Sequence, residues 1–511
     1  MSALIEWVNG IIWSPVLVYL CLAVGVYFTI RTRLLQIRQI PAMISSTFRG
    51  EKSADGVHPF QSLAMSLAGR VGTGNIAGVA TAIAFGGPGA VFWMWTVAFL
   101  GSSTSFIECT LGQIYKERDK VTGEYRGGPA YYFEKALQHT KYRGLFKVYA
   151  SIFAFATVAA CGFFMPGVQA NGIATGLQGA WPSVHPWATA VGVTILLAFI
   201  VVGGVKRIAN FASVVVPVMA LIYILGAIIV AFVNIDQLLP VISLIVSSAF
   251  GMDATFGAIV GSAVEWGVKR GIYSNEAGQG TGPHAAAAAE VKHPASQGFV
   301  QAMAVYIDTL FVCSATAFLI LSTGMYRVYS GGSETSPVLA EGPGHLDPNA
   351  TVGPAYTQSG FDTVFSGFGP AFIAISLCFF AFTTIVAYYY MAETNLRYLT
   401  RNVRNRTILR GSQLALQLLI LVATVIGCVN SAGSAWALGD IGVGLMAWLN
   451  IVGILILQKP ALKALKDYER QQKQGIDPVF NPEELGIRNA DYWQVRYDTA
   501  TLQQVPPAQK H

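Results

Sequence analysis

Apolar stretches separated by short polar connections run along almost the whole chain, and most are long enough to cross a bilayer core, which takes about 20 residues as a helix. In order they cover residues 15–30, 60–85, 90–114, 148–177, 188–205, 211–233, a glycine-interrupted stretch 241–280, then 300–325, 368–391, 408–429 and 435–457. The pattern predicts an all-α polytopic membrane protein of about eleven spans. Its connections alternate in charge. Arg31, Arg33, Arg38, Arg49 and Lys52 follow the first span, and Lys116, Arg118, Lys120, Arg126, Lys135, Lys141, Arg143 and Lys147 precede the fourth. Lys206 and Arg207 separate the fifth from the sixth, Arg397, Arg401, Arg404, Arg406 and Arg410 mark the connection into the tenth, and Lys269 and Arg270 read as near the inner end of the 241–280 stretch. The connections at 181–187 and 330–362 carry no Lys or Arg. Basic connections stay on the cytoplasmic side, which predicts an external N-terminus and a cytoplasmic C-terminus. With Glu6 and no Lys or Arg before it, the first span reads as a retained helix rather than a secretory signal.

Composition agrees with the membrane setting. Hydrophobic residues make up 53% of the 511 and charged residues 12%, with a mean hydropathy of +0.50, against about 25% charged in soluble domains. The net charge of +6 belongs to the connections, so no nucleic-acid partner is expected. Cys21, Cys109, Cys161, Cys313, Cys378 and Cys428 lie in or beside apolar spans without a C-x-x-C pair and read as packing residues. Neither a nucleophile with its base nor a metal-ligand spacing stands out, so the chain does not read as an enzyme.

Two stretches depart from regular helix. Gly69-Arg70-Val71-Gly72-Thr73-Gly74-Asn75-Ile76-Ala77-Gly78 puts glycines, a charge and an amide in mid-span, where an unbroken helix favours Leu or Ala. Bared peptide groups at that depth need neighbouring helices, water, an ion or a substrate, and broken helices of this kind form the sites of secondary transporters. A small-residue packing face is the alternative reading. The second stretch, Gly257 to Gly271, is interrupted by Glu265 and Gly267 and passes into Ser274-Asn275-Glu276-Ala277-Gly278-Gln279-Gly280-Thr281-Gly282-Pro283-His284. Setting aside the first helix (residues 1–52), the chain divides into spans at 53–235 and 236–457, each set opening on an irregular stretch and starting from opposite sides. Paired interruptions in inverted halves point to a central transport site. The tail, 458–511, is polar and reads as peripheral. Arg70, Glu108, Glu265, Asp308 and Glu393 are ionisable residues in or beside spans, where charges are usually paired or face water. Arg70, Glu265 and Asp308 are the expected gating or proton-relay groups.

Gly86-Gly87-Pro88-Gly89-Ala90-Val91-Phe92-Trp93-Met94-Trp95, together with Val71-Gly72-Thr73-Gly74-Asn75 and Gly271-Ile272-Tyr273-Ser274-Asn275-Glu276-Ala277-Gly278, resembles the signature of the alanine or glycine:cation symporter (sodium:alanine symporter) family. The resemblance implies the amino acid–polyamine–organocation architecture, a leucine-transporter-type five-plus-five inverted repeat preceded by one extra N-terminal helix. It also implies sodium-coupled uptake of alanine or glycine across a prokaryotic plasma (inner) membrane, with Na⁺ as coupling ion, no organic cofactor, and no obligate protein partner.

Beside that resemblance, the amides of Thr73, Gly74 and Asn75 are expected to form a helix N-terminus for the substrate carboxylate. The ammonium would meet the carbonyls of Trp266 and Gly267, with Gln169 facing them, while Asn171 reads as interhelical glue. By analogy with the fold, sodium would sit among the carbonyls of Ala68 and Val71 and the hydroxyls of Thr383 and Thr384, with Asn75 the weaker candidate for a second ion. Without the analogy, the two threonines read equally as back-bonded to their own helix. One sodium ion moving down about 100 mV gains roughly 2.3 kcal/mol, and a tenfold gradient adds about 1.4, enough for roughly 500-fold accumulation. A proton-coupled carrier using Glu265 or Asp308 is the nearer rival. A channel or sensor is the more distant one, since neither a repeated pore motif nor a signalling domain is visible.

Overall fold

A computed structural model describes residues 2–49, 56–119, 122–201 and 204–495. Lys52, Lys120, the side chains of Lys206 and Arg207 and the tail beyond 495 lie outside that description. The protein is helical almost throughout. α1 (Ser2–Ile12) and α2 (Pro15–Arg31) form the first apolar stretch; α3 (Leu35–Arg38) and α4 (Ile40–Phe48) hold the basic segment after it. The next span is broken as its glycines predicted. α5 (Pro59–Arg70) stops, residues 71–72 run without helix, and from Thr73 a wide π turn (Gly74–Gly78) leads into α6 (Val79–Gly86).

The scaffold follows in order: α7 (Gly89–Ile114), α8 (Pro129–Ala136), α9 (Arg143–Ala159), α10 (Met165–Ala180), α11 (Pro186–Val201) and α12 (Gly204–Val233). The stretch read as one span from 241 to 280 resolves into three pieces. α13 (Leu238–Ala249) ends at Gly251, whose φ is 70°, and α14 (Val260–Asn275) and α15 (Gly282–Ala288) are the halves of a second broken helix. Then come α16 (Pro294–Tyr306), a π segment (Ile307–Cys313), α17 (Ser314–Thr323), α18 (Pro354–Asp362), α19 (Gly369–Thr400), α20 (Arg406–Val429), α21 (Ala432–Leu457) and α22 (Lys459–Lys473). Among the described residues, eight helices are long and apolar enough to cross a membrane. Their outward faces are apolar: Phe199 is 72% exposed and Phe232 70%, which water would penalise and lipid tails do not.

Polar connections gather at two ends. At one, the hairpin of Arg327–Tyr329 with Val338–Glu341 lies beside α6, with the Tyr329 ring 5.9 Å from that of Phe85. At the other, the basic connections meet the tail through Arg38–Glu469 (2.7 Å), Lys135–Asp491 (2.9 Å) and Lys292–Asp477 (3.1 Å). There Val57 pairs with Ala289: Val57 N donates to Ala288 O (3.0 Å) and Glu290 N to Val57 O (2.9 Å). The approaches to α5 and α15 are thereby joined backbone to backbone.

The tail differs from its polar reading. Tyr468, Phe480 and Trp493 are buried, and these few aromatic residues decide its docking where average composition suggested none. Trp493 Nε1 donates to Gln113 O (2.9 Å), and Lys116 Nζ, bonded to Ala289 O (2.8 Å), lies over the rings of Tyr125 and Tyr492 at 4.2 and 4.4 Å. Trp493→Phe keeps most of the ring and leaves Gln113 O without that donor. It should lower stability by about 1 kcal/mol, read as a lower melting midpoint in detergent; an unchanged midpoint would count against tail docking.

Candidate functional site

Unwinding frees particular carbonyls. The amide that would close a helical bond onto Ala68 O, that of Gly72, donates instead to Asn75 Oδ1 (2.8 Å). The amide of Asn75, which would serve Val71 O, donates to Gly72 O (3.2 Å). Into this gap reaches Thr384 of α19, whose Oγ1 lies 2.8 Å from Ala68 O, 3.3 Å from Val71 O and 2.9 Å from Phe380 O. A hydroxyl has one proton for those three acceptors. The spot is rich in oxygen and poor in hydrogen, the environment that suits a hard cation. Thr383, the neighbouring hydroxyl, turns away and bonds Phe380 O of its own helix (2.9 Å). Adjacent residues of a helix point about 100° apart, so only one of the pair faces the break.

On the facing side, Gln169 Oε1 accepts from the Thr73 amide (2.9 Å), the group expected to receive a substrate carboxylate. Thr73, Gly74, Asn75 and Gln169 are all buried together. Among the described residues Thr73 Oγ1 has no hydrogen-bond partner, nor do Asn275 Nδ2 and Gln279 Oε1 across at the second broken helix. Asn171 instead bonds Gly427 O (3.2 Å) and Asn430 O (2.9 Å), tying α10 to the end of α20.

The second broken helix opens later in the sequence than the one-dimensional pattern suggested. α14 runs unbroken through Glu265, Trp266 and Gly267, so the carbonyls of Trp266 and Gly267 lie inside regular helix. Gly267 is there for contact: a Cβ would stand 2.5 Å from Ala90 O and from Trp93 Cβ on α7. The Trp266 ring packs on Phe85 (5.0 Å). Glu265 is exposed and does not join the buried groups. Helix ends at Glu276, which is left-handed (φ 57°), and the turn continues through Gly278 (φ 82°) and Gly280 (φ 87°), conformations that glycine takes without strain.

A carboxylate from α7 holds that turn. Glu108 Oε1 accepts from Gly278 N and Oε2 from Gly280 N, both at 3.1 Å. Asn450 of α21 donates to Glu108 Oε2 (2.6 Å) and to Gly278 O (2.9 Å), with Tyr132 OH donating to its Oδ1 (2.5 Å). Sequence reasoning noted Glu108 without a role and missed Asn450, whose only signal was a lone amide in an apolar span.

Arg70 faces Glu276, Nε to Oε2 4.0 Å, and bonds Gln301 O (3.2 Å). Asp308, in the π segment before α17, accepts from Asn75 Nδ2 (2.6 Å), Ser274 Oγ (2.9 Å) and Thr309 Oγ1 (2.8 Å). Lys269 and Arg270 lie in mid-α14, on the Trp266 side of the break rather than at an inner end. Arg270 is bidentate to Asp440 of α21 (2.9 and 3.0 Å) and Lys269 Nζ is 2.9 Å from Asp440 Oδ2, with the Arg270 guanidinium 4.2 Å from the Trp436 ring. Asp440 was not read from the sequence.

Residues 1–482 match the model of the sodium:alanine symporter family. The chain belongs to that family. A sodium/proton-dependent alanine carrier protein of Bacillus sp. (strain PS3) is 48% identical over 457 residues, covering 89% of this chain and 98% of its own. A protein of Bacillus subtilis (strain 168) named as a probable sodium/glutamine symporter is 40% identical over 498 residues, 96% of each chain. The sodium/alanine symporter of Methanococcus maripaludis is 35% identical over 474 residues, 92% of this chain and 98% of its own. In the sodium:alanine symporter family the protein is thus a transporter and not an enzyme, built for cation-linked movement of amino acids.

Proposed function

We propose that the protein carries alanine or glycine into the cell together with sodium by alternating access. Residues 53–235 and 236–457 act as inverted five-span repeats behind one extra N-terminal helix, with the N-terminus outside and the tail in the cytoplasm. Pro59–Gly86, Pro186–Val201 and Val260–Ala288 complete eleven crossings of the prokaryotic plasma membrane. The observation carrying this reading is the approach of Thr384 Oγ1 to the two carbonyls released at the first break. Sodium would be held by Ala68 O, Val71 O and Thr384 Oγ1. The Thr383 hydroxyl enters only by leaving its own helix carbonyl.

Gln169 Oε1 stands where one oxygen of a substrate carboxylate would accept the Thr73 amide, so substrate entry would swing Gln169 aside toward the ammonium. The tight packing around this point favours a small side chain. A relative named for glutamine makes the substrate a matter of experiment: radiolabelled alanine, glycine and glutamine uptake into proteoliposomes under sodium, lithium or proton gradients. Native protein is expected to concentrate alanine and glycine with sodium only. Thr384→Ala should raise the sodium concentration for half-maximal uptake by about 10-fold, the loss of one charge-assisted oxygen contact; an unchanged requirement would remove this site. The second reading is proton coupling through Asp308, since Glu265 is exposed. Uptake that persists without sodium and follows a pH gradient would favour it.

A further inference from the structure

Where α2 ends, the chain turns a corner. Arg33 and Leu34 both sit in the left-handed region (φ 57° and 54°), which residues with a Cβ seldom adopt, and neighbouring groups pin them there. Leu34 N donates to Thr29 O (2.9 Å) and Gln36 Nε2 to Thr29 Oγ1 (2.7 Å). Arg38 Nη2 donates to Thr32 O (3.0 Å) and to Glu469 Oε1 (2.7 Å). α3 and α4 therefore do not continue α2. At four and nine residues they are also too short to cross a bilayer, which takes about 20.

The two short helices have unlike faces. Leu35, Gln39, Ala42, Met43 and Thr47 are buried, and Tyr306 OH of α16 donates to Gln36 O (3.0 Å). Leu34, Ile37, Ile40, Ile44 and Phe48 are exposed, Ile37 at 54% and Phe48 at 67%. Their steps of three and four residues keep them on one side. The strip carries on from Val26 and Ile30, on the exposed apolar face of α2. Residues 31–49 hold four arginines and no Asp or Glu. Arg38 is engaged at the corner, whereas Arg31, Arg33 and Arg49 are exposed, and among the described residues their side chains form no ion pair. An apolar strip edged by cations is the pattern of a segment lying in the headgroup layer of a membrane. The uncompensated positive charge selects anionic headgroups over zwitterionic ones.

We infer that residues 31–49 form a docking surface for anionic phospholipids at the basic end of the protein, with Arg31, Arg33 and Arg49 holding headgroups and the strip from Leu34 to Phe48 lying among the acyl chains. The inference rests on the chain spanning a bilayer and is independent of which ion or amino acid it carries. At the far end of the strip the Phe48 ring stacks on that of Phe60 in α5 (6.2 Å). A lipid held here therefore bears on the start of the first broken helix.

The test titrates phosphatidylglycerol, phosphatidylcholine or inorganic phosphate into the detergent-solubilised full chain, reading bound lipid by native mass spectrometry and the melting midpoint alongside. Phosphatidylglycerol should be retained more tightly than phosphatidylcholine and should raise the midpoint further. Replacing Arg31→Gln, Arg33→Gln and Arg49→Gln together should weaken phosphatidylglycerol binding by about 5-fold for each charge removed. The midpoint in phosphatidylcholine should stay native, because all three side chains are exposed. Ile37→Gln with Ile44→Gln should weaken retention of both lipids. Arg404→Gln with Arg410→Gln, exposed at another basic connection, is the control and should keep the full response. Equal retention of the two lipids, the same stabilisation by inorganic phosphate, unchanged binding in the triple variant, or an equal loss in the control would overturn the inference. If the triple variant does not fold, Arg49→Gln alone decides. Absence of sodium-driven alanine uptake would overturn the symport reading and leave these lipid measurements unaffected.

Discussion

Gly72→Ala should reduce sodium-driven alanine uptake by about 100-fold or more while leaving the protein folded. A Cβ at this position would lie 2.6 Å from Thr384 Oγ1 and 2.7 Å from Gln169 Oε1. Those two atoms belong to the groups assigned to sodium and to the substrate carboxylate, so one methyl strikes both halves of the site. Gln169 can swing away at its tip. Thr384 has a short branched side chain fixed by α19 and cannot. Gly192→Ala, which would meet nothing within 4 Å, is the control expected to transport normally. Size-exclusion profiles separate lost transport from lost folding. Normal uptake by Gly72→Ala would detach the first break from the transport site.

The largest loss of stability is expected at Asp440. Its carboxylate receives both Arg270 nitrogens and Lys269 Nζ, and all three side chains are buried. Asp440→Ala strands two cations without an anion, a change that costs about 3–5 kcal/mol when one partner of a buried ion pair is removed. The melting midpoint in detergent should fall sharply. Replacing all three residues together, Lys269→Met, Arg270→Met and Asp440→Leu, should recover much of that fall, because apolar groups of similar volume need no partner. If Asp440→Ala melts like native protein, the three groups do not depend on one another in solution.

The first break was legible in the sequence because three kinds of misfit coincide there: glycines, a charge and an amide within one apolar run. At the second, composition misled. Gly267 and Gly278 look alike along the chain, yet one serves close helix packing and the other a left-handed turn, a distinction made only by what stands opposite. Glu265 looked buried because it lies in a broken apolar run; rotation along α14 carries it to the outside, while Lys269 and Arg270 turn inward. Asp440 and Asn450 were single polar residues in an apolar helix. Their meaning depends on partners at Arg270 and Glu108, which are 170 and 342 positions away. Thr384 lies against Ala68 O and Val71 O, whereas Thr383 beside it bonds its own helix carbonyl, since adjacency in sequence is divergence on a helix.

The pairing of Val57 with Ala289 ends the independence of α5 and α15. Two backbone hydrogen bonds join the start of α5 to the end of α15, so under the proposed alternating access the two segments would tilt at the basic end as one leaf, and moving either alone would first break that staple.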